Sequence, residues 1–268
     1  MIQNRIDQKF AELKRRSQKA LIAFITAGDP GLKANREFVL AAEQNGADLI
    51  ELGVPFSDPQ ADGPVIQASS ARSLKRGTNL KKVLKLAADI RRDSQIPLIL
   101  MGYFNPFMRY GLERFARDAA SSGVDGLIVP DLTAEESAPL RQILASRGLH
   151  LIYLIAPTSS PQRMRKIISM ARGFLYYVSV TGVTGVKKAR RLSIGRGLSR
   201  LRRLTRLPVC AGFGISEPQI AKEIAPACDG VIVGSALVKA LDANPSLAAV
   251  AAAKRFLAPF ARALNNKG

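Results

Sequence analysis

Eight short apolar runs, separated by longer amphipathic stretches, predict an α/β chain that closes into a (β/α)8 TIM barrel. Two further observations point the same way. Several of the apolar runs are continuous rather than alternating, as strands covered on both faces should be. The length of 268 residues suits one such barrel, so 1–268 reads as a single barrel domain, and 47% hydrophobic residues supply a substantial core.

The strand-like runs fall at 21–26, 48–52, 98–102, 126–129, 151–155, 175–180, 209–212 and 230–233. Between them, 111–122 places Leu112, Phe115 and Ala119 together, and 134–147 carries Leu140, Ile143 and Leu144 on one stripe. Two additions decorate the plan. Ile2, Ile6, Phe10 and Leu13 form one face of an extra N-terminal helix, suited to cap the barrel floor. Extra helices in loops are expected between strands two and three, at 65–76 and 80–92, with Gly77 between them. There is no linker or low-complexity segment, and the tail from Asn265 is expected to fray.

Lys and Arg total 40 against 21 acids, a formal net charge of +19. Such a balance favours anionic partners. The densest stretch, 187–206, has nine basic residues and no acid, and the plain explanation is a solvated loop and helix face. No recognised nucleic-acid motif accompanies it, so nucleic acid is not expected as the main partner. No apolar stretch reaches the length of a membrane span, and Arg5, Asp7 and Lys9 precede the first apolar run. The two cysteines, Cys210 and Cys228, lie in apolar segments without metal-ligand spacing. They read as buried free thiols of a cytoplasmic protein.

The chemistry concentrates in ELGVPFSDPQADGPVIQ, at 51–67. Glu51 ends an apolar strand, and a loop stiffened by Pro55, Pro59 and Pro64 carries Asp58 and Asp62. Carboxylates so placed can serve as acid and base groups. They can also be helix caps, since Asp62 precedes Gly63-Pro64. Barrel enzymes place their sites at the C-terminal strand ends, which sorts the candidates. Glu51 and Asp62 follow strand two, Tyr103 and Asn105 strand three, Asp131 strand four, and Thr181 to Gly185 strand six. The only histidine, His150, starts strand five on the opposite face and reads as structural.

After strand seven comes Gly212-Phe213-Gly214-Ile215-Ser216, with Ser216 and Gln219 spaced for a capping box. After strand eight comes Gly234-Ser235-Ala236. Two Gly-rich turns in these loops fit a phosphate site, with ordinary turns and caps as the alternative. The loop at 180–185 has glycines that suit a lid, or a plain flexible loop. No lysine at a strand end suggests a Schiff base, no acid/His cluster suggests a metal, and no dinucleotide fingerprint follows a strand. Acid–base chemistry on a small phosphorylated substrate remains.

These residues resemble the tryptophan synthase α-subunit family over essentially the whole chain. The matching pieces are FITAGDP at 24–30, ELGVPFSDPQADGP at 51–64, NPF at 105–107, VPDL at 129–132, IAPTS at 155–159, VTGVTG at 180–185, GFGIS at 212–216 and GSA at 234–236. The resemblance implies cleavage of indole-3-glycerol phosphate to indole and glyceraldehyde 3-phosphate, for tryptophan biosynthesis. It implies Glu51 as general acid/base and Asp62 as the group that holds the indole N–H. It implies an indole pocket of Phe24, Tyr103, Ile128 and Tyr176. Gly185, Gly212, Phe213, Gly214, Gly234 and Ser235 would hold the phosphate, and Thr184 would close the lid over Asp62. No cofactor is expected in this chain. The implied partner is a β subunit carrying pyridoxal phosphate, in an αββα heterotetramer, faced by Asp58 and Pro59. Gln60 stands where the family pattern has Leu, and Phe174 where it often has Tyr. A stand-alone lyase releasing free indole, and a noncatalytic barrel binding RNA or another polyanion, are the alternatives.

Overall fold

The computed structural model describes residues 4–178, 187–212, 214–242 and 249–265, with side chains throughout except at 187–193. Eight strands run in order around a closed barrel: β1 (Ala20–Thr26), β2 (Leu49–Gly53), β3 (Leu98–Met101), β4 (Gly126–Ile128), β5 (His150–Ile155), β6 (Leu175–Val178), β7 (Val209–Gly212) and β8 (Gly230–Val233). Every neighbouring pair is parallel, and β8 closes on β1 through Ala20 opposite Gly230. The (β/α)8 expectation holds, with strand limits within two residues of those read from sequence.

The helices are α1 (Arg5–Arg15), α2 (Leu32–Gln44), α3 (Pro64–Lys75), α4 (Leu80–Arg91), α5 (Phe104–Tyr110), α6 (Leu112–Ser121), α7 (Ala138–Ser146), α8 (Pro161–Met170), α9 (Lys187–Arg202), α10 (Pro218–Ile224), α11 (Ser235–Asp242) and α12 (Ala249–Asn265). The two helices expected between β2 and β3 are α3 and α4. Two differences have local causes. Helix α7 begins at Ala138 rather than near 134, because Ser137 Oγ donates to the Ala134 carbonyl at 2.8 Å and meets the Tyr153 hydroxyl at 2.6 Å. Those side-chain bonds hold the preceding residues in a turn. Helix α5 was not anticipated: Asp131, from the loop after β4, accepts the Phe104 N–H at 2.9 Å and so caps its start.

The strands sort their side chains by alternation. One face of each strand packs on the helices. The other fills the barrel with Ala20, Ile22, Leu49, Ile99, Ile128, Ile152, Tyr176, Cys210 and Ile232. Helix α1 closes the floor, as its sequence predicts, by adding Ile6, Phe10 and Leu13 to this inner cluster. Phe174 is fully buried against Phe10, their ring centroids 5.6 Å apart, so a Phe fits there without any polar partner. Asn4 ties α1 down twice. Its Oδ1 accepts the Ile6 N–H at 2.9 Å, and its Nδ2 donates to the Asp125 and Gly148 carbonyls at 2.8 Å each. His150 lies on the floor too, Nε2 2.8 Å from the Asp7 carboxylate. Both cysteines are buried and free. Ile2 and the last three residues of the chain lie outside the described residues.

Three floor aspartates set strand register by one repeated device. Each precedes its own strand by one residue and accepts the N–H of the preceding strand. Asp48 takes Leu21, Asp125 takes Leu98, and Asp229 takes Val209, at 2.8–3.0 Å. Asp125 is 3% exposed and also pairs with Arg5 at 2.9 Å and Arg91 at 3.1 Å. Removing it takes the carboxylate from the part-buried Arg91, which keeps its bonds to the Gly123, Ser94 and Ile96 carbonyls, and orphans the Leu98 N–H. Asp125→Ala is therefore expected to cost about 3–5 kcal/mol in denaturant unfolding, and Asp229→Ala, whose carboxylate is solvated, clearly less. Equal losses would contradict this account.

Candidate active site

The C-terminal rim gathers most of the residues singled out above. Glu51 sits two residues after Leu49, on the same inward face, in register with Phe24 on β1 and Ile99 on β3. It is 0% exposed. Neither carboxyl oxygen has a hydrogen-bond partner among the described residues, and Thr26 Oγ1, at the end of β1, is likewise buried and unpaired. Buried polar atoms are nearly always paired, so unpaired ones at a barrel rim mark a place for a ligand. Burial pushes the Glu51 carboxyl up to about 8, because no nearby charge offsets the loss of water. The group is held as a neutral acid at pH 7.

Asp62 differs. It is half-buried in the loop between β2 and α3, and Tyr103, next after β3, organises it. The Tyr103 hydroxyl accepts the Ala61 N–H at 2.8 Å and donates to Asp62 Oδ2 at 3.2 Å. The ring stacks on Phe56 with centroids 5.3 Å apart, which fixes its direction. Burial pushes the Asp62 carboxyl up to about 6, and the Tyr103 hydrogen bond moderates the rise. The capping alternative fails on geometry. The N-cap of α3 is Gly63, and no side chain bonds there.

Tyr176, on β6, points into the same space. Burial, then Glu51, raises its hydroxyl far above the usual tyrosine range, and Asp62 adds to this. Gly212, at the end of β7, lies directly against this ring, and any Cβ there would overlap it. Gly53 is required for the same reason by the Phe24 ring. Ile128 is fully buried on the inner face of β4. Gly234, between β8 and α11, is half-buried beside Phe24, and Ser235 is exposed at the first position of α11. Gly214 adopts φ 69°, in the left-handed region that favours glycine. The Ser216–Gln219 capping box does not form. Pro218 occupies the first turn of α10, so Glu217 becomes the N-cap, and the Gln219 amide goes to Glu223 instead. Thr184, Gly185 and Phe213 lie outside the described residues, as does the loop read as a lid.

One set of residues escaped the sequence reading. Asp29, in the loop after β1, accepts Ser69 Oγ at 2.7 Å, Arg72 Nη2 at 2.6 Å and Arg76 Nη1 at 3.0 Å. Arg72 also reaches Asp242 at the end of α11, at 3.3 Å. The loop after β1 is thereby locked to α3 and, through Arg72, to the end of α11. The available signal was the spacing of Ser69, Arg72 and Arg76 on one face of α3. Asp58 and Gln60 are exposed on the outer side of the β2 loop, with Gln60 Nε2 donating to Asp58 Oδ2 at 3.2 Å. Beside them runs a groove of about 450 Å³, lined by Pro55, Phe56, Pro106 and Tyr110 among others. Among the described residues, no group of three His, Cys, Asp or Glu could hold a metal ion.

Comparison with known proteins agrees with this geometry. The family model described as tryptophan synthase alpha chain matches residues 10–265. The tryptophan synthase alpha chain of Citrifermentans bemidjiense is 53% identical over 236 residues, covering 88% of each chain. That of Xylella fastidiosa is 48% identical over 264 residues, covering 98% of each. The crystal structure of the tryptophan synthase alpha subunit from Legionella pneumophila superposes with a TM-score of 0.92 at 36% identity, covering 98% of this chain and 99% of that one.

The buried acid has a signature in stability. A carboxyl raised from the ordinary value of 4.5 to about 8 stabilises the fold least when it should ionise. Its contribution is intact below about pH 4.5 and is lost as pH rises through 8. By pH 7 the loss is about 3 kcal/mol. Glu51→Gln lacks this loss, so its stability advantage over the parent is expected to grow from pH 4.5 to 8 and then level off. Denaturant titrations across that range check this, and a pH-independent difference would contradict it.

Proposed function

The chain belongs to the tryptophan synthase alpha chain family, and from that premise we propose how its residues divide the work. It cleaves indole-3-glycerol phosphate to indole and glyceraldehyde 3-phosphate and works with a β subunit. Relatives of this kind do not favour the stand-alone lyase. The assignment of roles rests on one observation above the others: Glu51 is a fully buried, unpaired acid at the end of β2.

Two carboxyls pushed to different values suit two roles at neutral pH. Glu51, neutral below about 8, gives its proton to the indole ring carbon that bears the glycerol chain. Positive charge then develops on the ring nitrogen. Asp62, ionised above about 6 and held by Tyr103, accepts the indole N–H and stabilises that charge. The Glu51 carboxylate now takes the proton of the glycerol hydroxyl next to the ring. The carbon–carbon bond breaks, its electrons return to the ring, and the hydroxyl carbon becomes the aldehyde. The proton count closes, with Glu51 neutral again. Phe24, Ile128 and Tyr176 form the apolar walls for the indole. Gly214, Gly234 and Ser235, with Gly185, Gly212 and Phe213, take the phosphate, and Thr184 closes over Asp62. Free N–H groups at the start of α11 support that phosphate placement.

The exposed loop at Asp58 and Pro59, with the apolar groove beside it, is the face we assign to the β subunit in an αββα assembly. Pyridoxal phosphate would reside in that partner, and the chain itself would need no cofactor. No helix of the described residues is long and apolar enough to cross a membrane, and a cytoplasmic location fits such an enzyme.

Glu51→Gln is expected to abolish indole release, with and without β subunit, while the barrel stays folded. Asp62→Asn should lower turnover roughly 10²- to 10⁴-fold. The profile of kcat/KM against pH should rise through about 6 and fall through about 8, and Asp62→Asn should remove the acid limb. Near-normal turnover in Glu51→Gln would overturn the assignment.

A further inference from the structure

On the floor, opposite Glu51, α1 and the segment joining α9 to β7 border an open cavity of about 590 Å³. Four cations line it: Lys14 from the last turn of α1, Lys19 from the entrance to β1, Arg202 from the end of α9, and Arg206 from the loop before β7. The single acid in the lining, Asp229, is committed elsewhere. Its Oδ1 pairs with Arg202 at 3.1 Å and its Oδ2 accepts the Val209 N–H at 3.0 Å. Lys19 Nζ is held at 2.7 Å by the Cys228 carbonyl, which keeps its charge at the wall. Lys14 and Arg206 are exposed and have no ion-pair partner among the described residues.

A basic residue in the last turn of a helix is ordinary compensation for the helix dipole, and that suffices for Lys14. It also covers Arg202, in the last turn of α9 and paired with Asp229, but not Lys19 and Arg206, which lie outside the helices. The turn that brings Lys19 round is held by Ser17, at φ 55°, the one non-glycine residue with a left-handed backbone among those described. Lys14, Lys19 and Arg206 line one cavity with no acid partner among the described residues, and an anion there would relieve their mutual repulsion.

We propose that this floor cavity binds a small organic polyanion, bearing two or more phosphate or carboxylate groups, at a site separate from the substrate phosphate at the rim. The volume lies in the range of small-molecule pockets. Buried Phe10 and Leu13 give it an apolar base for the carbon skeleton of such a ligand. A nucleic-acid strand is the poorer fit. It needs exposed rings for its bases to stack on, and the exposed large hydrophobics among the described residues are Met108, Leu204 and Val250, none aromatic.

The test is calorimetric titration of the full chain with inorganic tripolyphosphate at 0.15 M salt, with saturating glycerol 3-phosphate present to occupy the rim. The expected result is saturable binding of one equivalent, weakened at least about tenfold in Lys14→Glu/Arg206→Glu. Indole release should be unchanged in that variant. Lys14→Gln/Arg206→Gln should show a smaller loss with the parent melting temperature, which separates a binding effect from unfolding. Absence of saturable binding, several equivalents per chain, or equal affinity in the double variant would overturn the proposal. So would a single-stranded RNA oligonucleotide that binds where tripolyphosphate does not.

Discussion

A carboxyl group enclosed in the barrel with no hydrogen-bond partner is the constraint around which this molecule is arranged. Glu51 sits where an aliphatic side chain would stabilise the fold and where water would restore an ordinary acidity. Holding it there costs stability at neutral pH, and it yields a proton donor that is still charged with its proton at pH 7. Phe24 and Tyr176 cover the group with rings, and glycines at 53 and 212 make room for those rings. A larger residue at either position would overlap one of these rings.

Stability and chemistry are separated along the barrel axis. The floor has the Asp125 ion pairs with Arg5 and Arg91, repeated Asp-to-strand hydrogen bonds and a capping helix whose apolar face completes the inner cluster. The rim has the unpaired oxygens of Glu51 and Thr26. Between the rim loops, Asp29 gathers Ser69, Arg72 and Arg76, and Arg72 continues to Asp242. This network ties the middle and end of α3, the helix that follows the Asp62 loop, to the loop after β1 and to the end of α11. A rigid floor and a cross-braced rim let the fold carry one energetically costly residue.

Much of this was legible in the amino-acid sequence, for reasons that differ from place to place. Parallel strands buried on both faces read as continuous apolar runs, so all eight were found. Glu51 was legible because a carboxylate closing such a run has no role in the core. The apolar face of α1 announced a floor cap, and its seating on Phe174 explains how a Phe fits at that position. What escaped depends on contacts distant in sequence. Helix α5 starts where it does because Asp131 reaches across from another loop. Asp29 meets Ser69 forty residues away, and nothing local to either announces the other. The capping box expected at Ser216 and Gln219 lost to Pro218, whose fixed backbone angle placed the helix start one residue later than the pattern implied.

The chemistry turns on the protonation state of one side chain. Carbon-13 NMR titration of glutamate carboxyl groups, with Glu51→Gln used to assign the signal, measures it directly. A Glu51 midpoint near 8, well apart from the surface glutamates, is the predicted result. A midpoint near 4.5 would mean that water or an unseen partner solvates the carboxylate. Glu51 would then be an anion at neutral pH and could not open the reaction as the proton donor.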